Sequence, residues 1–194
     1  MFENALTLRQ VSFKMKIAYK TLVSAGLIDL AVVLPQLVHL ALGQPGGVQW
    51  LPMYLPVLIG GCLLGTRWAL SVGVLSPLVS FFITSLMGES MPAPVRLPFM
   101  IAELAVFAAV SGLFTRKIAK NGLWAFVAVV SAQIAGRAVF LGLVAVFQSL
   151  VPFTPAMIWS QIQTGFWGLL VQAILVPVII IGLRALMLRE QGDE

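Results

Sequence analysis

Between Leu97 and Phe114 the chain reads LPFMIAELAVFAAVSGLF, and Glu103 is its only charge. Comparable apolar runs recur along the sequence. A continuous run of about 18 or more apolar residues is long enough, as a helix, to cross a hydrocarbon core of about 30 Å. Lipid offers no hydrogen bonds, so such a segment must pair its own backbone, as a helix or in a closed barrel. These runs are continuously apolar rather than alternating, which favours helices over barrel strands. Composition agrees: 60% of the residues are hydrophobic and 10% are charged, against about 25% charged in soluble domains. That leaves too little polar surface to cover a globule in water. The expected class is an all-α, integral, polytopic membrane protein.

Hydropathy predicts six transmembrane helices at roughly 17–42, 52–66, 68–87, 97–115, 122–148 and 160–187. The second is short, carries Pro52, Pro56, Gly60 and Gly61, and is not expected to cross in a straight line. The connections 43–51, 88–96 and 149–159 are rich in Gly and Pro and read as ordered loops capping one face. Basic residues set the orientation, because cytoplasmic loops carry the excess of Lys and Arg. With the N-terminus inside, Arg9, Lys14, Lys16, Lys20, Arg67, Arg116, Lys117, Lys120, Arg184 and Arg189 fall on the cytoplasmic side. Only Arg96 falls outside, and Arg137 lies within a helix. The asymmetry predicts six spans with both termini cytoplasmic: an N-terminal segment 1–16, a transmembrane domain 17–188 and a tail 189–194. It also accounts for the net charge of +5 without nucleic acid as a partner.

Three ionisable residues lie inside predicted spans: Asp29, Glu103 and Arg137. Inserting such a group costs about 2.5–3.5 kcal/mol on translocon scales, so each one calls for a function or a partner. At 1.5 Å per residue, Asp29 lies roughly 20 Å, Arg137 roughly 17–19 Å and Glu103 about 9 Å from the outer helix ends. Depth favours Asp29 with Arg137 as an internal ion pair, with Glu103 as the second partner within the reach of an Arg side chain, or as a shallower, outward-facing residue that meets a ligand. The competing expectation is a neutralised network that only fixes helix packing. A buried Arg suits a carboxylate or phosphate.

Other polar residues share faces with these charges. Asp29, Gln36 and His39 form a stripe on the first helix, Gln133 and Arg137 on the fifth, and Gln161, Gly165, Gly168 and Gln172 on the sixth. Three such stripes predict a common interior cavity. The aromatics Trp50, Tyr54, Phe147, Phe153, Trp159 and Trp167 gather toward the outer side, as an interfacial belt or as stacking surfaces for a ligand. Gly65, Ala69 and Gly73 repeat every four residues, and Ala105, Ala109 and Gly112 nearly so. Small residues at this spacing let helices approach closely, within the bundle or against another membrane protein. The single cysteine, Cys62, is a core filler and forms no intrachain disulfide. His39 has no second His or Cys at ligand spacing, so no metal or cofactor is expected. There is no GxxxxGK[ST], HExxH or GxSxG motif, and no enzyme activity is expected.

The segments LPMYLPVLIGGCLLGTRWALSVGVLSPLVSFFITSLMG (Leu51–Gly88), LPFMIAELAVFAAVSGL (Leu97–Leu113) and AQIAGRAVF (Ala132–Phe140) resemble the substrate-binding S components of energy-coupling factor (ECF) transporters. The resemblance implies a six-helix protein of a prokaryotic plasma membrane. It would bind a water-soluble vitamin or related micronutrient at the outer face. It would deliver that ligand to a transmembrane coupling protein and two cytoplasmic ATPases. Glu103, Arg137, Gln133, Gln36, His39 and Trp167 are the expected lining residues. Family members carry an AxxxA docking pattern on the first helix. Here Thr21 and Ala25 give one small-residue step before Asp29, and Gly65, Ala69 and Gly73 are the further docking candidates. The alternative is a stand-alone proton-coupled carrier or channel with Asp29, Glu103 and Arg137 as a relay.

Overall fold

Apolar side chains at nearly every position hold the chain helical wherever Gly and Pro do not interrupt it. The computed structural model describes residues 13–88 and 91–189. Residues 1–12 and 190–194, most of the expected N-terminal segment and tail, lie outside them. Eight helices make up the described residues, with no strand: α1 (Phe13–Trp50), α2 (Tyr54–Leu64), α3 (Thr66–Leu86), α4 (Leu97–Leu113), α5 (Thr115–Lys120), α6 (Trp124–Phe147), α7 (Pro155–Thr164) and α8 (Phe166–Arg189). Five segments are long and apolar enough to cross a membrane: Ile17–Gly43, Gly46–Leu64, Thr66–Leu86, Trp124–Phe147 and Phe166–Met187; α4 is apolar but shorter. Large apolar side chains face outward, with Leu86 90% and Leu40 85% exposed. Such a surface belongs in lipid.

Three boundaries differ from expectation. The stretch 43–51 is mostly helical rather than a loop. At Gly43 the backbone takes φ 68° and ψ −172°, a left-handed value that glycine adopts without a side-chain clash, and the chain turns back there. A second break follows at Leu51, φ 48°, and Pro52, so the second span bends as its prolines foretold. The expected sixth helix splits at Gly165 into α7 and α8. Pro155 opens α7 at its first turn, and the Thr154 side chain accepts the Met157 N–H at 3.4 Å. A Thr cap followed by Pro is a helix start, where the composition had suggested a loop.

The core centres on α2, buried along almost its whole length, as expected of a helix apolar on every side. Around it pack α1, α3, α4 and α8, with α6 against α4. Glycine permits two of these contacts. A Cβ on Gly73 would stand 2.6 Å from the Leu104 carbonyl oxygen, so α3 and α4 meet backbone to backbone. A Cβ on Gly136 would strike the Phe107 ring and come within 3.2 Å of the Glu103 carbonyl oxygen. That second contact draws α6 onto α4 at the level of Glu103, beside Arg137.

Candidate ligand-binding site

Glu103, 1% exposed, lies on the inner face of α4. Its Oε1 stands 3.2 Å from Nη1 of Arg137, and its Oε2 accepts the Tyr54 hydroxyl proton at 2.7 Å. The Arg137 guanidinium lies 5.0 Å from the Tyr54 ring centroid, and Phe107 meets that ring edge-on at 4.8 Å. Three helices, α2, α4 and α6, thus contribute one residue each to a compact charged cluster. The approach of α6 at Gly136 makes the pair possible. A buried pair tolerates loss of hydration only when its remaining hydrogen-bonding atoms find partners. Here two do not: Arg137 Nε and Arg137 Nη2 have no hydrogen-bond partner.

The cluster forms part of the wall of a partly open cavity of about 420 Å³, within the 300–1,000 Å³ range of small-molecule sites. Gln36 and His39 line it from α1, Gly47 and Val48 from beyond the Gly43 turn, Tyr54 from α2, Arg96 and Met100 near the start of α4, Phe140 from α6 and Gln161 from α7. The Gly43 turn is what closes this wall, because it brings Gly47 so near the His39 ring that a Cβ there would collide with it. Gln36 Nε2 and His39 Nδ1 are also buried without a partner. Met91, Pro92 and Ala93 line the cavity from the connection after α3. That connection is latched to α3: Thr84 Oγ1 accepts the Met91 N–H at 2.8 Å, and Ser80 Oγ donates to the Met91 carbonyl at 3.0 Å.

Four of the six predicted lining residues, Glu103, Arg137, Gln36 and His39, therefore meet at one cavity. Gln133 and Trp167 do not. The Gln133 amide donates to the Leu169 carbonyl at 3.1 Å and ties α6 to α8, while Trp167 is 59% exposed on the outside of α8. Gln172 is likewise structural. Its amide donates to the carbonyls of Trp50 and Leu51, both at 2.9 Å, at the break before α2. The expected pairing of Asp29 with Arg137 gives way to Glu103 with Arg137. Asp29 shares a stripe with Gln36 and His39, but the chain beyond Gly43 folds over only the far end of that stripe and leaves Asp29 exposed. Among the docking candidates, Ala69 is fully buried and Gly73 is taken up by the α3–α4 contact, and Gly65 is the break between α2 and α3 at φ 80°. Thr21 and Ala25 remain exposed on α1.

The predicted lining residues did not include Tyr54 or Arg96. Tyr54 was grouped with the outer aromatics, of which Trp50, Phe147, Trp159 and Trp167 are indeed exposed while Tyr54 and Phe153 are buried. A Tyr inside a proline-flanked apolar run needs a partner for its hydroxyl, and the only carboxylate in the next two spans is Glu103. Among the described residues no group of three or more His, Cys, Asp or Glu could hold a metal ion.

No curated protein and no solved structure matches the chain. The family model for "ECF transporter, substrate-specific component" matches residues 20–180, a span that contains the whole charged cluster and every described wall of the cavity. The chain belongs to the substrate-specific components of ECF transporters.

Proposed function

We propose that this cavity holds a small water-soluble vitamin or related micronutrient, taken from the outer face and passed to the coupling protein and ATPases of an ECF transport complex. One observation carries the reading. Glu103, Arg137, Gln36 and His39 line a single cavity of ligand size, and Arg137, Gln36 and His39 each carry a buried polar atom without a hydrogen-bond partner. Each unpaired buried group costs about 1–3 kcal/mol, a standing cost that a bound polar ligand offsets. The remaining wall, from Val48, Leu51, Met100, Phe140 and their neighbours, supplies apolar burial. Nothing in this arrangement transforms the ligand; it binds, orients and excludes water. The cavity lies at the Arg96 end of α4. The basic helix α5, which carries Arg116, Lys117 and Lys120, follows the other end, and Arg184 of α8 donates to the Ala119 and Lys120 carbonyls there. On the positive-inside rule this turns the cavity outward. Thr21 and Ala25 on the exposed side of α1 form the docking step toward the coupling protein.

Native mass spectrometry of the protein purified without added ligand tests the binding role. The expected result is a co-purifying small molecule that Glu103→Gln loses. Wild-type protein with no bound molecule, or a Glu103→Gln variant that keeps it at full occupancy, would overturn the reading. Reconstituted alone, the protein should bind without sustained uptake. Uptake abolished by an uncoupler would instead identify a proton-coupled carrier.

A further inference from the structure

Arg96 is the one basic residue that the topology places on the outer side, against the statistical bias for Lys and Arg to stay inside. The structure gives it a defined position. It immediately precedes α4, lies over the Phe153 ring at 5.8 Å, and faces the side-chain amide of Gln161, whose oxygen accepts from the guanidinium. Phe153 itself packs on Phe99 at 5.4 Å, so the stacking surface is fixed. Yet among the described residues no carboxylate pairs with Arg96. A guanidinium held by a ring and an amide, and facing a cavity, is arranged to meet an anion.

The charges lining the cavity give the sign and size of that anion. Among the described residues, the Arg and carboxylate side chains that line it are Arg96, Arg137 and Glu103, a sum of +2 and −1. Glu103 is already matched by Arg137, which leaves one positive charge, at Arg96. We infer that the ligand is a monoanion bearing one carboxylate, which the Arg96 fork receives at the cavity mouth while the neutral polar body of the ligand lies toward Gln36, His39 and the Glu103–Arg137 pair. This inference rests on the binding role proposed above and adds the ligand's charge and orientation to it. Guanidinium geometry favours bidentate capture of either carboxylate or phosphate. A phosphate monoester brings about −1.5 to −2 charges at pH 7, more than one unmatched guanidinium neutralises, so the carboxylate is the better fit.

The test uses the full-length protein purified from cells grown in rich medium. The bound molecule is released by denaturation and characterised by mass and by its charge on anion exchange. The expected result is an organic acid with a single carboxylate from wild type, at least tenfold lower occupancy in Arg96→Gln, and partial retention in Arg96→Lys. Thermal unfolding of ligand-stripped Arg96→Gln should match stripped wild type, so that the loss reports recognition rather than folding. A neutral or cationic molecule, or a phosphate ester, would overturn the inference while leaving the binding role intact. The same acid retained by Arg96→Gln at wild-type occupancy would overturn it too, since the acid would then be read elsewhere. No released molecule from wild type would sink both readings together. If stripped Arg96→Gln unfolds earlier than wild type, Gln161→Leu decides, because it removes only the amide that holds the guanidinium. Loss of the acid there supports the assignment, and full retention overturns it.

Discussion

At the scale of single residues, the Glu103–Tyr54–Arg137 cluster is where structure and binding compete most directly. Tyr54→Phe removes the proton that Glu103 Oε2 accepts at 2.7 Å. A hydrogen bond to a charged group contributes about 1.5–3 kcal/mol, and thermal or denaturant unfolding in detergent should register a loss of that order. Arg137→Met strands the Glu103 carboxylate, and breaking a buried pair by removing one partner costs about 3–5 kcal/mol. Adding Glu103→Gln should recover much of that loss, because the double variant buries no lone charge. Recovery of stability without recovery of ligand binding would separate the two roles. If instead both single variants bind as wild type does, the pair is purely a packing device. The sequence marked Glu103 and Arg137 as costly in lipid, but depth ranked Asp29 ahead of Glu103 as the partner of Arg137. Depth along a helix can be counted from residue numbers, whereas the direction a side chain faces depends on how its helix is rotated against the others.

Helix contacts at the element scale depend on a few glycines, and these differ in kind. Gly73 faces backbone of α4, which cannot move aside as a side chain can. Gly73→Ala should therefore push α3 from α4 and destabilise the fold by about 1–3 kcal/mol, the usual range for overpacking. Gly26 on α1 has nothing within 4 Å of its missing Cβ. Gly26→Ala should be neutral or stabilising by up to about 1 kcal/mol, since Ala favours the helix. Comparing the two by thermal unfolding checks the contact rather than the residue type. Gln172 acts between elements in another way. Its amide braces the carbonyls of Trp50 and Leu51 at the break, so Gln172→Leu should loosen the wall that carries Gly47 and Val48. Weaker ligand binding together with faster amide exchange over residues 46–54 is the expected signature. The polar stripe on the last span was legible in the sequence. That Gln172 serves a helix break rather than the cavity was not, because the break lies more than a hundred residues away in sequence.

For the whole molecule, the cavity and the proposed docking step lie on different surfaces. The cavity gathers α1, α2, α4, α6 and α7 at one end, while Thr21, Ala25 and Asp29 lie on the exposed side of α1. Ala25→Leu and Asp29→Asn should thus leave ligand affinity within about twofold, a difference well under the 1.4 kcal/mol of one decade. With the coupling protein and ATPases present, Ala25→Leu should lower uptake several-fold. Unimpaired uptake by Ala25→Leu would move docking to another face. The sequence by itself determined the class, because lipid admits only long, self-satisfied helices, and the apolar runs and Gly/Pro breaks record that requirement locally. It also placed Glu103 and Arg137 within apolar spans and set Arg96 apart from the other basic residues. Only the tertiary structure decided that Glu103, not Asp29, faces Arg137, that Gln133 and Trp167 leave the cavity, and that Tyr54 joins it. Those outcomes depend on helix rotation and on the Gly43 turn, which bring together side chains that share no local pattern.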